Sequence, residues 1–218
     1  FFAFEDGLLV GGDAGLLLVQ TISVVAVAAY SFVVSLVLAL AVMSTAFTSL
    51  AIATGFERRY GVIKRLGSSP LPRHGLLLGK VGALLLVELF QLVVISLVAQ
   101  AMGWDPSVNV VALLLTLVLG TAAFAALGLL IAGALRAEAT LAVANLIYLL
   151  LMAGGAVVIP SQQYGVLGDI VTWLPSGSLG DGMRAALIDA SYDLRSAAVL
   201  ATWALVGAIL AGRTFSWE

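Results

Sequence analysis

The stretch Asn109–Ala134, NVVALLLTLVLGTAAFAALGLLIAGA, runs for 26 residues without one charged side chain. A bilayer core about 30 Å thick is crossed by about 20 apolar residues in a helix. Working outward from it, four comparable runs occupy Ile22–Thr54, Leu76–Met102, Thr140–Ile159 and Ser196–Gly212. Lipid offers backbone groups no hydrogen-bond partners, so such runs are helices or barrel strands, and barrel strands alternate polar with apolar. These do not alternate. The expectation is an all-α polytopic transmembrane helix bundle, a single domain over residues 1–218, with five spans visible. The first run exceeds one crossing and should tilt or project.

Composition agrees: 62% of the 218 residues are hydrophobic and 10% charged, and the mean hydropathy is +1.15. Soluble domains are closer to about 45–50% apolar and 25% charged. With no cysteine and one histidine, His74, thiolate chemistry, disulfides and a His-rich zinc site are excluded. Neither lysine, Lys64 or Lys80, follows a phosphate-loop glycine pattern. The chain has no such ATPase of its own.

Charge gives the direction. Alternating spans put Arg58, Arg59, Lys64, Arg65, Arg73, Lys80, Arg136 and Arg213 on one side, against Arg184 and Arg195 on the other. Basic residues accumulate in cytoplasmic loops, so the C-terminus is expected inside and residue 1 outside. Phe1–Phe4 then reads as the outer end of a preceding span, giving six in the complete protein.

Three segments could carry function. The loop over residues 55–75 is the most charged; within it Tyr60, Ile63 and Leu66 recur every three residues, an apolar stripe if Glu57–Leu66 is helical. It would suit docking a partner or resting on lipid headgroups. The segment over 160–193 is too rich in glycine and proline to span, yet too apolar for a solvated loop. Residues 170–174 and 183–188 read as two short helices around a Pro175–Gly182 turn, a re-entrant external pair with Trp173 at the interface. Glu88 lies deep in the second run with Gln91 three residues on, and Asn145 and Tyr148 form a weaker polar face on the fourth. Charges at that depth face a bundle interior or a wet path, so Glu88 is open to titrating, to binding a cationic substrate or to an interhelical hydrogen bond.

Two motifs together resemble a known family. Glu57-Arg58-Arg59-Tyr60-Gly61-Val62-Ile63-Lys64-Arg65-Leu66 through Ser69-Pro70-Leu71 to Gly79-Lys80 is one; Ile159-Pro160 through Trp173-Leu174-Pro175 to Asp181-Gly182-Met183-Arg184-Ala185-Ala186 is the other. In this order, on opposite sides of the membrane, they are similar to those of type-two ATP-binding-cassette (ABC) exporter permeases, typified by bacterial daunorubicin-type drug efflux systems. The resemblance covers nearly the whole chain. It implies six spans, location in the bacterial plasma membrane, pairing with a second permease copy or homologue, and two separate ATPase subunits that hold ATP and Mg. It also implies no cofactor on this chain, no catalytic or metal-binding residue and no nucleic-acid partner. The docking surface would be Glu57, Arg58, Arg59, Tyr60, Ile63, Lys64, Arg65 and Leu66, and the external gate Trp173, Pro175 and Arg184. Glu88, Gln91, Asn145 and Tyr148 are candidates for a translocation path. The expected activity is export of a lipophilic or amphipathic substrate such as a drug, lipid or lipid-linked glycan. Competing readings are a membrane-embedded lipid-modifying enzyme using Glu88 and a non-transporting membrane anchor or assembly protein.

Overall fold

The computed structural model describes residues 5–62, 73–104 and 106–214. Among them every regular element is a helix. Helix α1 (Glu5–Val42) continues without interruption through a π-helical segment (Met43–Ser49) into α2 (Leu50–Arg59). Then come α3 (Arg73–Ala101), α4 (Val110–Ala134), α5 (Ala137–Gly154), a 3-10 turn (Ser161–Leu167), α6 (Gly168–Val171), α7 (Pro175–Leu187) and α8 (Leu194–Thr214). Among the described residues five stretches are long and apolar enough to cross a membrane: Gly15–Arg59, Gly79–Ala101, Val110–Ala134, Ala137–Gly154 and Leu194–Thr214. They match the five predicted runs. The fourth ends at Gly154 and not at Ile159, because Ala156 takes a positive φ of 57° and turns the chain away. Phe1–Phe4, on which the sixth span was argued, lie outside the described residues.

Helix α4 is the centre, touching every other long helix. Its apolar residues lie all round, the pattern of a helix with no face to spare for water. Asn109 caps its start, the side-chain oxygen accepting the Ala112 N–H at 3.0 Å. Helices embedded in lipid gain little from burying apolar surface, so small residues that admit close approach hold them. A Cβ on Gly128 of α4 would lie 2.9 Å from the Phe47 carbonyl oxygen of the π segment. One on Gly207 of α8 would lie 3.0 Å from the Ala126 Cβ of α4.

The first rod buries residues in adjacent pairs: Val34 and Ser35, Leu38 and Ala39, Val42 and Met43, Ala46 and Phe47, Leu50 and Ala51, Thr54 and Gly55. The pairs recur every four residues, through the π segment as well as on either side of it.

Between α5 and α8 the structure corrects the sequence reading. The supposed Pro175–Gly182 turn is the body of α7, opened by Pro175 at its first turn after an extended Leu174. The partner helix α6 is only 4 residues long. The glycines serve close approach, not a turn: a Cβ on Gly177 would meet the Val171 carbonyl oxygen at 2.2 Å, and one on Gly182 the Thr116 side chain at 2.9 Å. Helix α7 is buried among α1, α4 and α8. Its Ala186 carbonyl accepts the Asn109 N–H at the start of α4, while Leu179 packs on Gly120, eleven residues or about 16 Å further along.

Candidate functional sites at the two ends of the bundle

The sequence placed its candidates at three levels, and the structure keeps them apart. At one end, α2 carries Glu57, Arg58 and Arg59, and each has a partner inside the chain. Lys80, in the second turn of α3, pairs with Glu57 and also donates to Thr54 Oγ1 at 3.1 Å. Arg58 donates to the Gly133 carbonyl at 2.8 Å and to that of Ala132. These are last-turn carbonyls of α4, which have no acceptor role left within their own helix and carry the negative end of its dipole. Arg59 pairs with Glu138 in the first turn of α5. A single segment therefore touches α3, α4 and α5.

The predicted Glu57–Leu66 helix breaks early. Gly61 adopts φ 67° and donates to the Arg58 carbonyl at 3.1 Å, ending α2 in the left-handed conformation that glycine tolerates. Beyond it Tyr60 is 67% exposed, its ring stacked 6.2 Å from that of Phe56 and covered by the Arg59 guanidinium at 5.9 Å. Ile63, Lys64, Arg65 and Leu66 lie outside the described residues.

In the middle of the bundle, Glu88 is buried at the α3–α4 seam, where Thr121 Oγ1 is its hydrogen-bond partner. The Gln91 side-chain oxygen is buried with no partner among the described residues. Asn145 is exposed and donates to the Leu141 carbonyl of its own helix at 2.9 Å; Tyr148 is half-buried beside it. Glu88 and Asn145 stand on α3 and α5, which share the π segment but otherwise pack chiefly on opposite halves of the rod, α3 on α1 and α5 on α2. The four candidates do not form one site.

At the opposite end, Arg184 is buried and holds three acceptors: the carbonyls of Ala156 at 2.8 Å and Val157 at 3.0 Å, and Asp181 Oδ1 at 2.7 Å. It satisfies the backbone that the positive φ of Ala156 turns inward, which fixes α7 to the end of α5. Pro175 is buried; Trp173 is exposed, with the Arg195 guanidinium 5.5 Å above its ring and Trp203 Nε1 donating to its carbonyl at 2.9 Å. Arg195 also donates to Thr172 at 2.7 Å. A cleft of about 670 Å³ opens beside these groups, lined by Asp181, Arg184, Asp189, Tyr192 and Arg195. Sequence reasoning missed Lys80, Thr54 and Glu138 as partners of the charged segment, and the Trp104 Nε1 donor to Ser31 at 2.8 Å.

Among the described residues no group of three His, Cys, Asp or Glu could hold a metal. A family model described as ABC-2 family transporter protein matches residues 19–213. The chain belongs to the ABC-2 family. No significant match to a curated protein or to a solved structure was found. As an ABC-2 membrane protein it has the permease-like bundle of a transporter, and members of this family generally work with ABC ATPase subunits. The same membership places it in a family of transporters whose membrane chains are typically non-catalytic.

Proposed function

We propose that the chain is the membrane-spanning permease of an exporter driven by ATP that separate subunits hydrolyse, and that it moves a lipophilic or amphipathic substrate out of the cytoplasm. The family match over residues 19–213 carries this reading. The end of the bundle bearing Arg58, Arg59, Lys80, Arg136 and Arg213 is the cytoplasmic one, as its basic excess favours. Helices α6 and α7 form the external element, α7 being a half-crossing helix whose backbone protein covers on all sides. Drugs, lipids and lipid-linked glycans all suit an apolar bundle with few polar groups. A second permease copy completes the path, and the exposed Asn145 face of α5, beside Tyr148, is our candidate lining. Glu88 and Gln91 contribute only if the α3–α4 seam opens.

Docking falls to the tip that begins at Tyr60. An exposed aromatic ring, backed by Phe56, is the kind of anchor on which interfaces concentrate binding energy. Ile63 and Leu66 extend it in sequence, with Lys64 and Arg65 as the polar rim. Glu57, Arg58 and Arg59 stand behind this surface. Replacing Tyr60 and Ile63 together by Asp should abolish co-purification of the ATPase subunits while the permease still inserts and folds. Retention of the subunits at normal stoichiometry, with normal permease-dependent hydrolysis, would refute the docking assignment.

A further inference from the structure

The charged base of the tip has a different part to play. We propose that Glu57, Arg58 and Arg59 are positioning residues that carry movement of the docked tip into the bundle, and that the Glu57–Lys80 pair is the arm that moves α3. This rests on the permease reading above.

The three contacts differ in the cover they enjoy. Lys80 and Glu57 side chains are 19% and 32% exposed, whereas those of Arg59 and Glu138 are 50% and 63% exposed. A pair in solvent is screened and holds two segments weakly; a half-buried pair with a second donor contact at Thr54 does not let go so easily. Arg58 grips backbone carbonyls of α4, so its arm acts on a helix already locked by its neighbours. Lys80 acts on the opposite kind of helix. Helix α3 is the least buried of the spans, exposing Leu86, Phe90, Leu97 and Val98. Leu92 and Ala99 seat it on the core, with Val81, Leu84, Leu85 and Ile95 packed beside them, and polar contacts fix it at points: Lys80 to Glu57 and Thr54 on α2, Glu88 to Thr121 on α4, and, just past its end, Trp104 to Ser31 on α1. The α1–α2 rod holds α3 at both of its ends. A displaced tip thus takes α3 with it, while α4 and α8 stay packed together.

Residues 1–218 contain no cysteine, so reporters can be introduced among them without background. Spin labels at Phe90→Cys on α3 and Leu205→Cys on α8 occupy exposed positions. In the assembled transporter with its ATPase subunits, in lipid nanodiscs, their distance should change on trapping with ATP and vanadate. Glu57→Lys and Lys80→Glu should each cancel that change and lower permease-dependent hydrolysis about tenfold, the scale of an unpaired half-buried charge. The double exchange should restore both, and Lys80→Arg should keep both. Glu57→Gln, which removes the pair without repulsion, should also lose the distance change. In all five proteins the ATPase subunits should co-purify as with the unmodified chain. An intact distance change in the single variants would overturn the inference. So would loss of the subunits from them, since the pair would then be a docking contact. Absence of ATPase subunits from the unmodified protein would instead defeat the permease reading itself.

Discussion

Helices α8 and α3 both pack on α4, yet by different means. The α8 contact is a long seam in which Gly207 lets the backbone rest against Ala126. The α3 contact is narrow, with Glu88 and Thr121 as its polar bridge. Lipid tails are as apolar as leucine, so neither contact is driven by escape from water. What remains is close packing, which is rigid because it fails at the scale of a methyl group, and hydrogen bonding, which holds at points and leaves the rest free to slide. One membrane domain uses the first at the α4–α8 seam and the second at the α3–α4 seam.

The sharpest way to break this contrast is Gly207→Leu. The new side chain would have to displace α8 from Ala126, and a loss of about 3 kcal/mol in stability is expected, read as a lowered midpoint for unfolding in detergent. Thr121→Val keeps the volume at a fully buried position but removes the partner of Glu88. Its expected cost is about 1 kcal/mol, with α3 becoming more accessible to a reporter cysteine while the α4–α8 seam stays closed. Smallest of all, Leu97→Ala trims a 60% exposed residue on α3 and should change stability by less than about 0.5 kcal/mol. A cost comparable to that of Gly207→Leu would mean that this face of α3 is packed against protein in the working assembly, and the contrast between the two helices would fail.

The spans were legible because length and hydropathy alone determine what can cross a bilayer, and the five observed stretches overlap the five predicted runs, the first beginning at Gly15 and not at Ile22. Asn109 was even readable as a boundary, since a short polar side chain caps a helix wherever the apolar run begins. Helix α7 was not. Glycine is equally suited to a turn and to close helix approach, and only the neighbours Val171, Ala156 and Thr116 reveal which is meant at Gly177, Gly180 and Gly182. The charged end was legible as charged and no further. Glu57 and Lys80 are 23 positions apart and Arg59 and Glu138 are 79 apart; pairing over such separations leaves no local pattern. Glu88 was recognised as an oddity, and its hydroxyl partner on another span could not be read from α3.

The four-residue repeat along the first rod has a geometric consequence. An α-helix closes a turn in 3.6 residues, so a stripe repeating every four slips sideways by about 40° per repeat. Over the five steps from Val34 to Thr54 the slip would reach roughly half a revolution. A π turn takes more residues to come round and recovers some of that angle. Met43–Ser49 is thus a phase adjuster between two halves that address different neighbours: α1 packs chiefly on α3 and α7, α2 on α4 and α5. Unwinding or tightening that one segment would swivel the tip about its own axis with no change in the length of the rod's straight parts. The azimuth of the charged end is set in mid-membrane.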